Sequence, residues 1–281
     1  MSSTAPLKRT LFHLTGSDAK RYLSGQCSQD LALATSNQAC YATILNHKGK
    51  MDADLYVREY DGGILVDADP SLREDLHMRL DRYIIADDVE IADLSDSHLI
   101  LHTLGDETQG ASAQAWKINR FGVNATEELC AQGDSTEATL PSGTPTQSVL
   151  GFEELEQIRI QHMIPSWGAE LGNETLPPEA GLEDRAISYT KGCYTGQEVI
   201  SRMRSAGRTN RKLALLELSA AVSAPAALMA EGATPEKPAG TLTSSCSIDG
   251  KHIGLAFIGK KFYSQSEFQV GNTTATVTKI I

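Results

Sequence analysis

Along the first hundred residues, short apolar blocks alternate with tight polar turns. Leu11-Phe-His-Leu14 reads as a strand, and Ser17 or Asp18 is suited to cap a helix over 19–24. The runs 41–45 and 53–58 read as strands joined by the polar turn 46–50. Asp61-Gly62-Gly63 signals a hairpin, with 64–67 as the returning strand. From Leu72 the apolar positions fall at Leu76, Leu80 and Ile84, with Tyr83 beside them, which is helical spacing. Strands follow at 89–92 and 99–104. Strands on both sides of a helix predict an α+β layer with helices over one sheet face.

The stretch 131–148 is rich in Gly, Ser, Thr and Pro and reads as a surface loop. A helix over 152–162 follows, stopped by Pro165, and Pro177-Pro178 punctuates the next loop. After Arg211 the pattern changes. A strand at 213–218 and an Ala/Pro-rich connector at 220–238 lead to strands at 240–247 and 253–258 about Asp249-Gly250. Strands at 268–272 and 274–280 close the chain about a Gly-Asn turn. Short strands with tight turns and almost no helix predict a small β-barrel. No solenoid-type repeat is present.

Composition narrows the function classes. The 281 residues carry a formal net charge of -11, with 41% hydrophobic and 22% charged residues. A uniformly acidic surface repels phosphate backbones, so nucleic acid is not expected as the main partner, although a local basic patch suits a small anion. No apolar run is long enough to span a membrane, and the first residues lack a signal-peptide core. The first patterned segment begins at Leu11, which leaves no room for a removable leader. Cys27, Cys40, Cys130, Cys193 and Cys246 are scattered and form no C-x-x-C, which fits free thiols in a reducing cytoplasm. That spacing argues against a zinc site or a self-held iron–sulfur cluster, and no histidine pairs with another ligand at metal spacing. A monomer without membrane attachment is expected.

The richest chemistry lies in Lys191-Gly-Cys-Tyr-Thr-Gly-Gln-Glu-Val-Ile-Ser-Arg202. Gly192 and Gly196 bracket a thiol, an aromatic ring and a hydroxyl, and Gln197-Glu198 opens an apolar-periodic stretch with helical spacing. A cysteine just before a helix N-terminus has its thiolate favoured by the backbone dipole, and Lys191, Arg202 and Arg204 add positive potential. The bland alternative is a small buried side chain in a tight turn. Arg202, Arg204, Arg208 and Arg211 form a basic cluster, either a ligand anchor or a solvated helix face. Trp167 lines a cavity or sits in a core.

The run at 191–202 is the signature of the YgfZ family, which resembles the glycine-cleavage aminomethyltransferase (T-protein). Four further blocks carry the likeness: Leu14-Thr-Gly-Ser-Asp-Ala19 with Gly25-Gln26 and Gln29-Asp30; Lys48-Gly49-Lys50 with Asp54-Leu55; Ile164-Pro165 through Leu176-Pro-Pro-Glu-Ala-Gly181; and Gly240-Thr-Leu-Thr-Ser244. The resemblance implies an α+β fold with a T-protein-like arrangement of three subdomains around a central cavity and a C-terminal small β-barrel. It divides the chain into a folate-binding region at 1–211 and the barrel at 212–281. It implies tetrahydrofolate as cofactor. It also implies an accessory role, not an enzyme in the usual sense, in assembly or repair of iron–sulfur enzymes, with those enzymes or their assembly factors as partners. The functional thiol is then Cys193, among Lys191, Tyr194, Gln197 and Glu198. Folate contacts are expected from Gln161, Trp167, Arg202, Arg208, Arg211 and Asp54.

Two departures from the T-protein pattern bear on this. Gln161 stands where the T-protein has an acid expected to recognise the pterin, and an amide gives no charge-assisted pair. Asp52-Ala53-Asp54 matches an Asp-Asp doublet, with alanine at one position, which argues against aminomethyl transfer. A folate-dependent transferase or demethylase and a protein-binding module without folate are the alternatives.

Overall fold

The computed structural model describes residues 3–105, 114–132, 149–207 and 209–281. In chain order the elements are β1 (Thr4–Leu7), β2 (Thr10–Thr15), α1 (Ala19–Gln26), β3 (Cys40–Leu45), β4 (Met51–Tyr60), β5 (Gly63–Ala68), α2 (Arg73–Asp81), β6 (Glu90–Asp93), β7 (His98–Leu104), β8 (Ala115–Ile118) and β9 (Ala125–Ala131). There follow α3 (Phe152–Gln161), α4 (Glu183–Ala186), α5 (Gln197–Ala206), β10 (Arg211–Leu218), β11 (Ala226–Leu228), β12 (Gly240–Ile248), β13 (Lys251–Gly259), β14 (Glu267–Val270) and β15 (Thr273–Ile280).

A five-stranded sheet of order β3-β4-β5-β2-β6 forms the first unit. Its period-2 alternation sends Ala53, Leu55 and Val57 of β4 to one face, where Leu23 of α1 and Leu76 and Leu80 of α2 complete an apolar core. The opposite face of β4 carries Asp54, Tyr56 and Arg58 and is equally buried. It meets a four-stranded sheet of order β1-β7-β9-β8, with Tyr56 and Leu65 packed on Trp116, Ile118 and Ala125. Between the two sheets lies an ionic cluster. Arg58 pairs with Asp67 and, at 3.0 Å, with Glu127; Arg120 pairs with Asp67 at 2.7 Å and Glu127 at 2.6 Å; His102 meets Glu127 at 2.9 Å. Arg58, Asp67, Glu127 and His102 have no solvent exposure.

The third unit is a six-stranded antiparallel sheet of order β11-β12-β13-β10-β15-β14. It closes where Met229 and Gln269 exchange both backbone hydrogen bonds, each 2.8 Å. Leu216, Leu242, Ala256 and Phe268 fill its interior. The α3–α5 region joins this barrel to the first unit through Leu45, Met51, Ile160, Tyr194, Ile200, Leu213 and Leu255. The architecture is thus the expected α+β arrangement of three units with a C-terminal barrel.

Several local expectations are corrected. Asp18 occupies the N-cap position of α1, but its carboxylate accepts from the Asp88 amide at 3.0 Å and from the Arg21 side chain, and not from a backbone amide of the helix. The helix from residue 72 ends at Asp81, and Tyr83 and Ile84 lie in the turn beyond. Strands β1, β8 and β9 were not anticipated, and β1 precedes the segment read as the first patterned one. The connector at 220–238 contains β11. In the loop read at 131–148, Ala131 ends β9, while 133–148 lie outside the described residues.

Burial raises the carboxyls of Asp67 and Glu127. The field of Arg120 and the other arginines outweighs it, so both are held below their ordinary values of 3.8 and 4.5. Their contribution to stability is complete above that range and is lost as pH falls below it. Replacing Arg58 by Met leaves two buried carboxylates short of a partner and lowers unfolding free energy by about 3–5 kcal/mol. Urea unfolding at neutral pH measures this as a drop in midpoint at unchanged slope. The deficit shrinks as pH falls and the carboxylates protonate.

Candidate functional site

A cavity of about 790 Å³ opens between the first two sheets, helix α3 and the segment 164–169. That is within the size range of small-ligand and cofactor sites. The alternation of β4 aims Asp54 and Tyr56 toward it, and β3 adds Tyr41 alongside. The two tyrosine rings lie 4.8 Å apart between centroids, tilted by 40°. The Tyr41 hydroxyl donates to Asp54 Oδ2 at 3.0 Å. Asp54 is only 9% exposed, and its Oδ1 is buried without a hydrogen-bond partner. Burial pushes the Asp54 carboxyl up, with Arg9 and the Tyr41 hydroxyl partly offsetting it. Arg120 lies 4.2 Å over Tyr56, its N–H groups occupied by Asp67 and Glu127.

Helix α3 forms a second wall. Phe152, Leu155, Glu156 and Arg159 follow helical spacing and all face the cavity. Arg159 is held there by donations to Glu156 (2.6 Å), Glu170 (3.0 Å), Ser244 (2.7 Å) and the Ile164 carbonyl (3.2 Å). These bonds tie α3 to the barrel. Trp167 lines the cavity and also packs against two apolar cores.

Of the folate contacts expected from sequence, Asp54 and Trp167 are in the cavity. Gln161 is not. It lies two residues past Arg159, about 200° around the helix, and is exposed. The Ala53 departure also changes meaning. Ala53 points into the apolar core under α1, so an acid there would not reach the cavity, whereas Asp54 does.

The arginine cluster is dispersed. Arg202 pairs with Glu198 one turn earlier at 2.6 Å, and Arg211 pairs with Glu179 at 2.8 Å and lies 4.2 Å over Phe257. Neither lines the cavity, and Arg208 lies outside the described residues. Arg204 stacks 3.9 Å over Tyr189 at the edge of a separate pocket of about 670 Å³.

The signature segment is built around Lys191. Its ammonium donates to the carbonyls of Ser24 (2.7 Å), Cys27 (2.8 Å) and Gln29 (2.8 Å), where α1 ends. Burial lowers its pKa. Tyr194 is buried in the core that joins α5 to the barrel, its ring 5.4 Å from the Lys191 ammonium. Gly196 takes φ +84°, and a Cβ there would sit 2.7 Å from the Asn46 carbonyl; a Cβ on Gly49 would sit 2.8 Å from Val199. The signature helix therefore docks directly on the 46–50 turn. Gln197 is its first residue and Glu198 is exposed. Cys193 is exposed and outside the cavity. It precedes the first helical residue by four positions, because a turn closed by Gln197 N–H to the Tyr194 carbonyl (3.3 Å) intervenes. The thiol is thus not seated at the helix end as the sequence suggests.

Sequence reasoning missed Tyr41, Tyr56, Arg120 and Phe152 as cavity residues. The signal for one of them, Tyr56, was Asp54-x-Tyr56-x-Arg58, a polar stripe on a strand whose other face is wholly apolar. Among the described residues no group of three or more His, Cys, Asp or Glu side chains is placed to hold a metal ion, and no helix is long and apolar enough to cross a membrane.

The three units together have the T-protein fold. The chain superposes on the glycine cleavage system aminomethyltransferase T from Bartonella henselae with a TM-score of 0.78, covering 98% of this chain and 84% of that one at 14% identity. In sequence it has curated homologues named tRNA-modifying protein YgfZ. The protein from Escherichia fergusonii is 28% identical over 74% of this chain and 69% of its own length, and that from Aliivibrio fischeri 26% identical over 92% and 86%. No family model matches the chain. The resemblance carried by the signature is borne out by these relatives.

Two substitutions separate the cavity from the signature. Asp54→Asn removes the cost of burying an ionised carboxylate. The raised Asp54 pKa favours the fold below the unfolded value and disfavours it as pH rises through the folded value. The variant should therefore melt higher than the parent at pH 8, by the equivalent of about 1 kcal/mol, and show little gain near pH 4. Lys191→Met strips three carbonyls of their shared charged donor and should cost about 1.5–3 kcal/mol in denaturant unfolding.

Proposed function

We propose that the chain is an accessory protein that binds tetrahydrofolate in the central cavity and supports the assembly or repair of iron–sulfur enzymes. The observation that carries the folate reading is the unpartnered Oδ1 of Asp54, buried beside the paired rings of Tyr41 and Tyr56. A pterin presents adjacent N–H donors on a flat ring, which suits a carboxylate flanked by aromatic faces. The volume admits a whole folate, and Asp54 supplies an acid in the cavity, so Gln161 need not contact the ligand. The exposed position of Cys193 supports a separate role for the thiol. It faces macromolecules in solution, not a molecule in the cavity.

On this reading the protein works as a monomer in the cytoplasm, with iron–sulfur enzymes or their assembly factors as partners. The homologues' name refers to tRNA modification. With a net charge of -11, a role of this kind here would be exercised through a partner enzyme, without a nucleic-acid interface of the chain's own. A second reading, a folate-dependent one-carbon transferase, is favoured by one observation: a carboxyl raised by burial inside a ligand cavity suits a general base.

Titration of the purified protein with tetrahydrofolate under anaerobic, reducing conditions tests the proposal. The parent and Cys193→Ala should bind with equal affinity, and Asp54→Asn at least tenfold more weakly. In cells, Cys193→Ala should lower the activity of iron–sulfur enzymes. Absence of binding by the parent overturns the folate reading. Turnover of an aminomethyl donor with tetrahydrofolate, lost in Asp54→Asn, would replace it with the transferase.

A further inference from the structure

The second pocket, of about 670 Å³, lies between α4, the end of α5 and the start of β10, and shares no lining residue with the large cavity. Its size also suits a small ligand. The barrel closes one side of it. Ile281 N–H donates to the Leu213 carbonyl at 3.0 Å, and the Ile281 side chain packs directly on Gly181, where a Cβ would clash with it. Ile187, Met203 and Ile281 give the pocket an apolar lining.

Four charged side chains line the same space: Glu183, Asp184, Arg204 and Lys212. Among the described residues, none of them makes an ion pair. Tyr189 engages two of the four. Its hydroxyl donates to Glu183 Oε1 at 2.9 Å, and its ring carries the Arg204 guanidinium at 3.9 Å. A guanidinium stacked on a ring face keeps its edge N–H groups, the ones that grip a carboxylate side-on. Lys212 is half-buried, with its ammonium 5.7 Å from the Tyr263 ring. Asp184 is exposed. Two cations and two carboxylates thus share one pocket without neutralising each other. A simple anion entering it would meet two carboxylates, and a simple cation would meet two cations, and like-charge contacts are repulsive. A ligand that carries both charges meets a complement for each.

We propose that this pocket binds a small zwitterion of the α-amino-acid class with an apolar side chain. Arg204 and Lys212 take the carboxylate, Asp184 and Glu183 take the ammonium, and the side chain lies along Ile187, Met203 and Ile281. The site is separate from the folate reading and stands or falls without it.

Calorimetric titration with L-phenylalanine and three analogues is the test. N-acetylphenylalanine lacks the ammonium, phenylalaninamide lacks the carboxylate, and glycine lacks the side chain. The parent should bind phenylalanine about tenfold more tightly than each analogue. Arg204→Gln should lose about tenfold for phenylalanine and no longer favour it over phenylalaninamide. Asp184→Asn should lose about fivefold and narrow the gap to N-acetylphenylalanine. Both side chains are exposed, so melting temperatures should match the parent's. If the parent binds none of the four compounds, or binds any analogue as tightly as phenylalanine, the assignment is overturned. Unchanged phenylalanine binding in both variants overturns it as well, because the ligand then sits elsewhere.

Discussion

Arg58, Asp67, Glu127 and His102 sit out of reach of water between two sheets, and Arg120 closes over them. Stripping ions of water costs several kcal/mol each, and their mutual attraction repays it only when every hydrogen bond is in place. The cluster therefore tolerates one relative placement of the five- and four-stranded sheets. A purely apolar interface of equal area would stabilise as well but would permit sliding. The consequence reaches the cavity directly. Arg120, fixed by the two carboxylates, lies over Tyr56, and Tyr56 fixes Tyr41, whose hydroxyl meets Asp54. The shape of the cavity wall is thus set by charges held between the sheets.

Elements whose pattern is local were legible in the sequence. The β4–β5 hairpin follows from Asp61-Gly62, α3 from its spacing and Pro165, and the barrel from its turns. The four-stranded sheet was not legible. Strand β1 is Thr-Ala-Pro-Leu and β9 is Ala-Thr-Glu-Glu-Leu-Cys-Ala, and neither alternates as a half-buried strand should. Glu127 reads as solvent-facing and is instead the centre of the ionic cluster. Such strands exist because β7 offers an edge and because arginines from another sheet neutralise them, and neither fact is visible in a window of seven residues. The cavity was half legible for the same reason. Asp54 and Trp167 lay in recognisable blocks, while Tyr41, Arg120 and Phe152 converge from three separate segments.

The signature run was the plainest motif in the sequence, yet much of it is architectural. Lys191 caps the end of α1, Gly196 allows α5 to touch the Asn46 carbonyl, and Tyr194 is core. The family blocks at 48–50 and 191–202 touch one another, with Gly49 admitting Val199. What these residues position is the intervening loop, which holds Cys193 on the surface. The other four thiols differ from it in setting. Cys27 and Cys40 are buried, and burial raises them to about 11 and about 12, which makes them poor nucleophiles.

Asp54 keeps a buried carboxylate oxygen without a hydrogen-bond partner, and Cys193 keeps a thiol exposed to solvent. Both run against stability or chemical safety. A buried acceptor without a donor is destabilising, and an exposed cysteine invites oxidation. Neither helps the other, because they open to different surroundings. On the function proposed above, each is completed from outside, the carboxylate by the donors of a small planar ligand and the thiol by a macromolecule. On that same proposal, the ligand conditions the scaffold from the cavity while the surface thiol meets the client.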